Sequence, residues 1–144
     1  MPAYEIAKLI HLISAVIFGG VLFVEVVMLP VLKKELGEDM YKKIEYLIIS
    51  KRGIKVVPLF VLALYVSGFY MFHVHLKSLD LSTNFGKLLI LKVFLAVLII
   101  IGVITAIILF IRGRQESKIF DYIHLFAFVL AFSIIIIAKL MFVL

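Results

Sequence analysis

The sequence predicts an all-α membrane protein: an antiparallel four-helix transmembrane bundle with a short amphipathic helix in the first inner loop. Three observations carry this. Hydrophobic residues make up 65% of the 144-residue chain, well above the roughly 45–50% of globular proteins. Residues 56–76, 93–111 and 122–138 contain no Asp, Glu, Lys or Arg, and residues 9–32 contain only Glu25. With their flanks, all four stretches reach the about 20 apolar residues that cross a bilayer. A soluble bundle keeps a polar stripe on each helix, and residues 93–111 have none.

The elements follow in order. Span one covers about residues 5–33. Its apolar run is too long for a signal-peptide core, and no small-residue cleavage pattern follows. Pro30 is expected to bend its inner end. Gly37 ends the helical tail, and Asp39 is placed to cap a new helix. There Met40, Tyr41, Ile44, Leu47 and Ile48 fall on one face, with Lys42, Lys43 and Glu45 opposite. This reads as an amphipathic helix on the inner membrane surface. Ser50 to Gly53 is expected to turn the chain into span two, residues 54–76. A short outer loop follows, in which Asp80, Ser82 or Thr83 caps span three, residues 86–112. Span four covers residues 119–143. Loops this short favour up-down-up-down packing in a single domain, residues 1–144.

Charge sets the expected orientation. The net charge is +6, and Lys33, Lys34, Lys42, Lys43, Lys51, Arg52 and Lys55 all lie between spans one and two. Arg112, Arg114 and Lys118 lie between spans three and four. Basic loops stay cytoplasmic, which places both termini outside the cell's inner membrane. The same charge attracts anionic lipid as a secondary effect. No aromatic-interleaved basic motif points to nucleic acid, so the bilayer is the expected partner. The chain has no cysteine, which excludes disulfides, thiolate-bound zinc and cysteine-ligated iron–sulfur clusters.

The polar residues inside the apolar stretches carry the chemistry. An ionisable side chain in a bilayer is a functional hypothesis by default, and histidine is a common ligand of haem iron and other metals. His11, His73, His75 and Lys92 fall in the outer half, Glu25 and His124 in the inner half. At about 100° per residue, His11, Ser14, Phe18, Leu22 and Glu25 share one narrow stripe. Glu25 is costly facing lipid, so this stripe, with His11, faces the interior. On span two His75 shares a face with Leu64, Gly68 and Met71, and Gly68 leaves room for a helix or a flat ring. His73 points about 160° away from His75, so only one of them faces inward squarely.

Two sites follow. In the outer one, His11 and His75, or His73 in its place, are axial ligands of a b-type haem, with Lys92 as propionate or substrate contact. In the inner one, Glu25 and His124, helped by Asp121, form a proton relay or weak metal site.

Span one, reading His11-Leu-Ile-Ser-Ala-Val-Ile-Phe-Gly-Gly before Phe23, Pro30 and a basic loop, resembles the small copper-resistance-D-like integral membrane proteins. Gly68 in span two, followed by Gly86-Lys-Leu-Leu-Ile-Leu-Lys92, is similar to the related HemJ-type protoporphyrinogen oxidases. The resemblance covers about residues 7–112 and implies a haem-associated membrane fold. It also implies His11 and Lys92 as the functional pair.

Three functions stand at this point. The first is a b-type haem protein with a redox role, a membrane oxidoreductase moving electrons or oxidising a porphyrin, with a membrane or periplasmic redox partner, porphyrin or quinone. The second is a copper-handling membrane protein or transporter using His11, His73, His75 and Met71. The third is a cofactor-free accessory subunit of a respiratory complex. A homodimer is compatible with each.

Overall fold

A computed structural model describes residues 2–114 and 118–144. Helix α1 spans Ala3–Phe23 and passes through a π-helical turn, Val24–Met28, to α2, Val31–Leu36. Helix α3, Glu38–Ile48, passes through a second π-helical turn, Ile49–Gly53, into α4, Ile54–Leu76. Helices α5, Asn84–Ile111, and α6, Lys118–Leu140, follow. Among the described residues four helical segments are long and apolar enough to cross a membrane: Ala3–Leu36, Glu38–Leu76, Asn84–Ile111 and Lys118–Leu140. The chain is therefore an all-α multi-pass membrane protein, with spans close to those read from the sequence. It forms two compact units, Met1–Ser78 and Leu79–Leu144.

The first unit is an antiparallel hairpin. Tyr4 meets His75, and His11 meets Leu64 and Ser67, so the partner residue number falls as α1 advances. Lipid tails are as apolar as leucine, so membrane helices gain by close packing over small residues. Ser14, with 2% of its surface exposed, and Ser67, with 5%, are buried in this hairpin. Ser67 returns its hydroxyl proton to the Ala63 carbonyl at 2.7 Å, the usual way a membrane helix satisfies a serine.

The break after α1 has a local cause. Leu29 N–H bonds the Val24 carbonyl at 2.8 Å, five residues back. Pro30 has no N–H and deprives the Val26 carbonyl of its helical donor, so the ladder cannot continue unchanged. Gly37, at φ 87°, then reverses the chain in a conformation that favours glycine. It is Gly37 that precedes α3; Asp39 lies inside the first turn instead of capping it.

Two further expectations about this region are corrected. Ser50 to Gly53 makes no turn, because the helix runs unbroken from Glu38 to Leu76. The amphipathic helix forms where expected, with Met40, Leu47 and Ile48 exposed, but Lys42 and Glu45 of the opposite face are sheltered together with Tyr41. Local pairing makes this affordable. The ammonium groups of Lys33 and Lys42 lie 4.9 and 5.7 Å from the centroid of the Tyr41 ring. Its hydroxyl donates to Glu45 Oε2 at 3.1 Å, and Lys42 Nζ lies 3.5 Å from Glu45 Oε1.

The second unit is also an antiparallel hairpin. Phe85 stacks edge-on against Phe142 at 5.5 Å, Asn84 donates to the Leu144 carbonyl, and Gly102 lies against Ile123. Thr83 caps α5, its hydroxyl accepting the Gly86 N–H at 3.1 Å. Asp80 builds the preceding turn: its carboxylate accepts from Ser82 N–H and O–H, and its carbonyl accepts from the Thr83 hydroxyl. The two bonds from Ser82 hold the Asp80 carboxyl below its ordinary pKa.

Candidate functional site

The residues singled out from span one hold the places that phase gives them. Ser14, Phe18 and Leu22 are the buried residues of α1, with His11 and Glu25 half-buried at either end of the stripe. Glu25 sits within the π-helical turn, an irregularity frequent at functional sites.

His11 is the best-defined polar group of the first hairpin. Its Nδ1 lies 2.9 Å from the Leu64 carbonyl and 3.2 Å from Ser67 Oγ. A carbonyl can only accept, so Nδ1 carries the proton and the lone pair of the neutral ring is on Nε2. An N–H donated to a backbone carbonyl is the arrangement that fixes tautomer and ring direction in metal-ligating histidines. The carbonyl is offered at the level of Gly68, and there the room beside that glycine is taken. A Cβ on Gly68 would lie 3.0 Å from His11 Cε1 and 3.3 Å from Nδ1. The flat ring for which Gly68 leaves space is the imidazole itself. A Gly68→Ala chain is therefore expected to lose about 1 kcal/mol of stability by crowding. A Gly19→Ala chain, whose Cβ meets nothing within 4 Å, is expected to lose none. Thermal melting of the two in detergent checks this.

His75 and His73 separate as their spacing requires. His75 turns toward α1, where Tyr4 Oη lies 2.8 Å from its Nε2 and the two rings meet edge to face at 5.6 Å. His73 is exposed. The structure does not bring His11 and His75 to one level. His75 is seven residues beyond Gly68 on α4, about 10 Å along the axis. Two axial ligands of one iron must face each other across it. In this arrangement His11 and His75 do not, and the bis-histidine site drawn from the sequence does not fit.

The remaining candidates lie in the second hairpin. Lys92 is half-buried on α5, eight residues after Asn84. His124 donates from Nδ1 to the Phe120 carbonyl at 2.8 Å and lies against the Phe120 ring at 4.5 Å, with Asp121 half-buried beside it in sequence. Glu25, its expected relay partner, belongs to the first hairpin.

Sequence reading missed two groups. Tyr4 carries no sequence signal of its own, because tyrosine is common at membrane interfaces. The Tyr41–Lys42–Glu45 cluster was hidden by its own charge, which marks a solvated face until the pairings are seen. Among the described residues no three His, Asp or Glu side chains gather into a metal-binding group. Searches of protein-family models, curated proteins and solved structures found no match to this chain.

Proposed function

We propose that this chain is an integral membrane redox protein that holds a b-type haem, with His11 as an iron ligand. The observation that carries the reading is the hydrogen bond from His11 Nδ1 to the Leu64 carbonyl, which leaves the lone pair on Nε2 and orients the ring. Ser67, at 3.2 Å from the same nitrogen, restrains it from a second direction. A haem asks one or two side chains of the protein, because the porphyrin supplies the other iron ligands. A copper site made of protein ligands alone asks for more, which ranks the copper reading second. When bound, the haem supplies one-electron chemistry between ferric and ferrous iron.

In this reading His75 is paired with Tyr4 and is not the second ligand. Lys92 is the anion contact of the second hairpin, suited to an acidic substrate. The test is an optical spectrum of the protein purified from haem-replete cells, oxidised and then reduced with dithionite. A Soret band that shifts on reduction supports the reading. Its absence overturns it, and bound copper without a Soret band moves the assignment to copper handling.

The charge distribution supports an inner-membrane location with both termini outside. The chain has no cysteine, so single introduced cysteines report without background. In intact cells a membrane-impermeant maleimide is expected to label Ala3→Cys and to spare Lys43→Cys. The opposite pattern reverses the topology.

A further inference from the structure

We infer that the turn joining α3 to α4 is a binding surface for anionic phospholipid headgroups. Lys55, Leu59, Leu62, Val66, Phe69 and His73 recur at three- and four-residue intervals on α4 and are all exposed. The four apolar members have 61–73% of their surface exposed, although nothing about leucine or phenylalanine favours water. This is a lipid-facing stripe. From Lys55 to His73 it covers 18 residues, about 27 Å at 1.5 Å per residue, close to the roughly 30 Å hydrocarbon core of a bilayer. Lys55 and His73 therefore mark its two edges.

Depth then identifies what Lys51, Arg52 and Lys55 meet. They lie at the Lys55 edge, where lipid phosphates are, and all three are exposed. No acidic residue occurs between Glu45 and Asp80. Among the described residues none of the three forms a salt bridge, and the one hydrogen bond here, from Arg52 to the Lys51 carbonyl at 3.4 Å, neutralises no charge. The helix does not stop at this edge. It continues through the π-helical turn into α3, which holds the three cations on a fixed backbone and not on a loose loop. Three exposed cations at this depth suit a lipid whose headgroup carries net negative charge. The inference needs no cofactor and is independent of the haem reading.

The test uses the full chain reconstituted in phosphatidylcholine with spin-labelled phosphatidylglycerol or phosphatidylcholine, reading the motionally restricted fraction of each. The unmodified protein is expected to prefer phosphatidylglycerol by about fivefold or more, the scale of a single cation near an anionic surface. Raised salt should reduce the preference. The Lys51→Gln/Arg52→Gln/Lys55→Gln chain should show parity. The Lys8→Gln/Lys34→Gln/Lys43→Gln chain, with equal charge removed elsewhere, should keep the preference. Parity in the unmodified protein overturns the inference, as does equal loss in both triple variants, which would make it an effect of net charge. Erasure of the preference by inorganic phosphate overturns it in favour of a free-phosphate site. Should the first triple variant fail to fold, the salt and phosphate arms on the unmodified protein still decide.

Discussion

A His11→Ala chain is expected to purify without a Soret band, while His73→Ala and His75→Ala chains keep theirs. The asymmetry follows from position. His73 is exposed at the rim of α4. His75 holds Tyr4 from a level about two helical turns away from His11. Removing His11 deletes the ring whose direction Leu64 and Ser67 fix. It also takes the donor from the Ser67 hydroxyl oxygen and one of the donors from the Leu64 carbonyl, which the Ser67 hydroxyl still reaches at 3.1 Å, so some stability is lost with it, about 1–3 kcal/mol. Haem content per protein by pyridine haemochrome, read beside a thermal melt, separates loss of the ligand from loss of the fold. A His75→Ala chain that loses the band while His11→Ala retains it would refute the assignment. Equal loss in both would restore the bis-histidine arrangement.

A Gly86→Ala chain is expected to be the most destabilised of the glycine variants, by about 3 kcal/mol or more, the upper range for overpacking. A Cβ on Gly86 would overlap the backbone carbonyl of Asp80 and lie 3.2 Å from Thr83 Oγ1. A flexible side chain gives way cheaply. This obstacle is backbone, and the Thr83 hydroxyl is bonded to it at 2.7 Å. The same hydroxyl accepts the Gly86 N–H, so displacement would also uncap α5. The contrast is Gly20→Ala, whose Cβ meets nothing within 4 Å and which is expected to gain a fraction of a kcal/mol from helix propensity. Melting temperatures in detergent that differ by less than a degree between these two chains would show that the turn yields.

The four spans were legible because lipid removes alternatives. In a bilayer only helices satisfy the backbone over 20 apolar residues in a chain of this kind, so composition decides the element. The inward stripe from His11 to Glu25 was legible for the same reason, since one costly carboxylate fixes the direction of a whole face. The separation of His73 from His75 followed from rotation per residue alone. Relative height was not legible. Phase says which way a residue points and nothing about which residue of the next helix it meets. The register that sets Tyr4, not His11, against His75 comes from packing between two helices. Charge misled once, at Lys42 and Glu45, where a pattern that reads as solvated is made of groups satisfying each other.

The π-helical turn at Ile49–Gly53 has a consequence for how the second long helix is assembled. Such a turn holds one residue more than the α-helical turn it replaces. It works as an angular spacer between α3 and α4. Removing a residue from it would restore an ordinary helix and rotate α3 by about 100° relative to α4. The face holding Tyr41, Lys42 and Glu45 would then be carried around to a new bearing, while every residue of α4 kept its own. The length of this short segment, more than its composition, sets the angle between the sheltered face of the inner helix and the lipid-facing face of the span it extends.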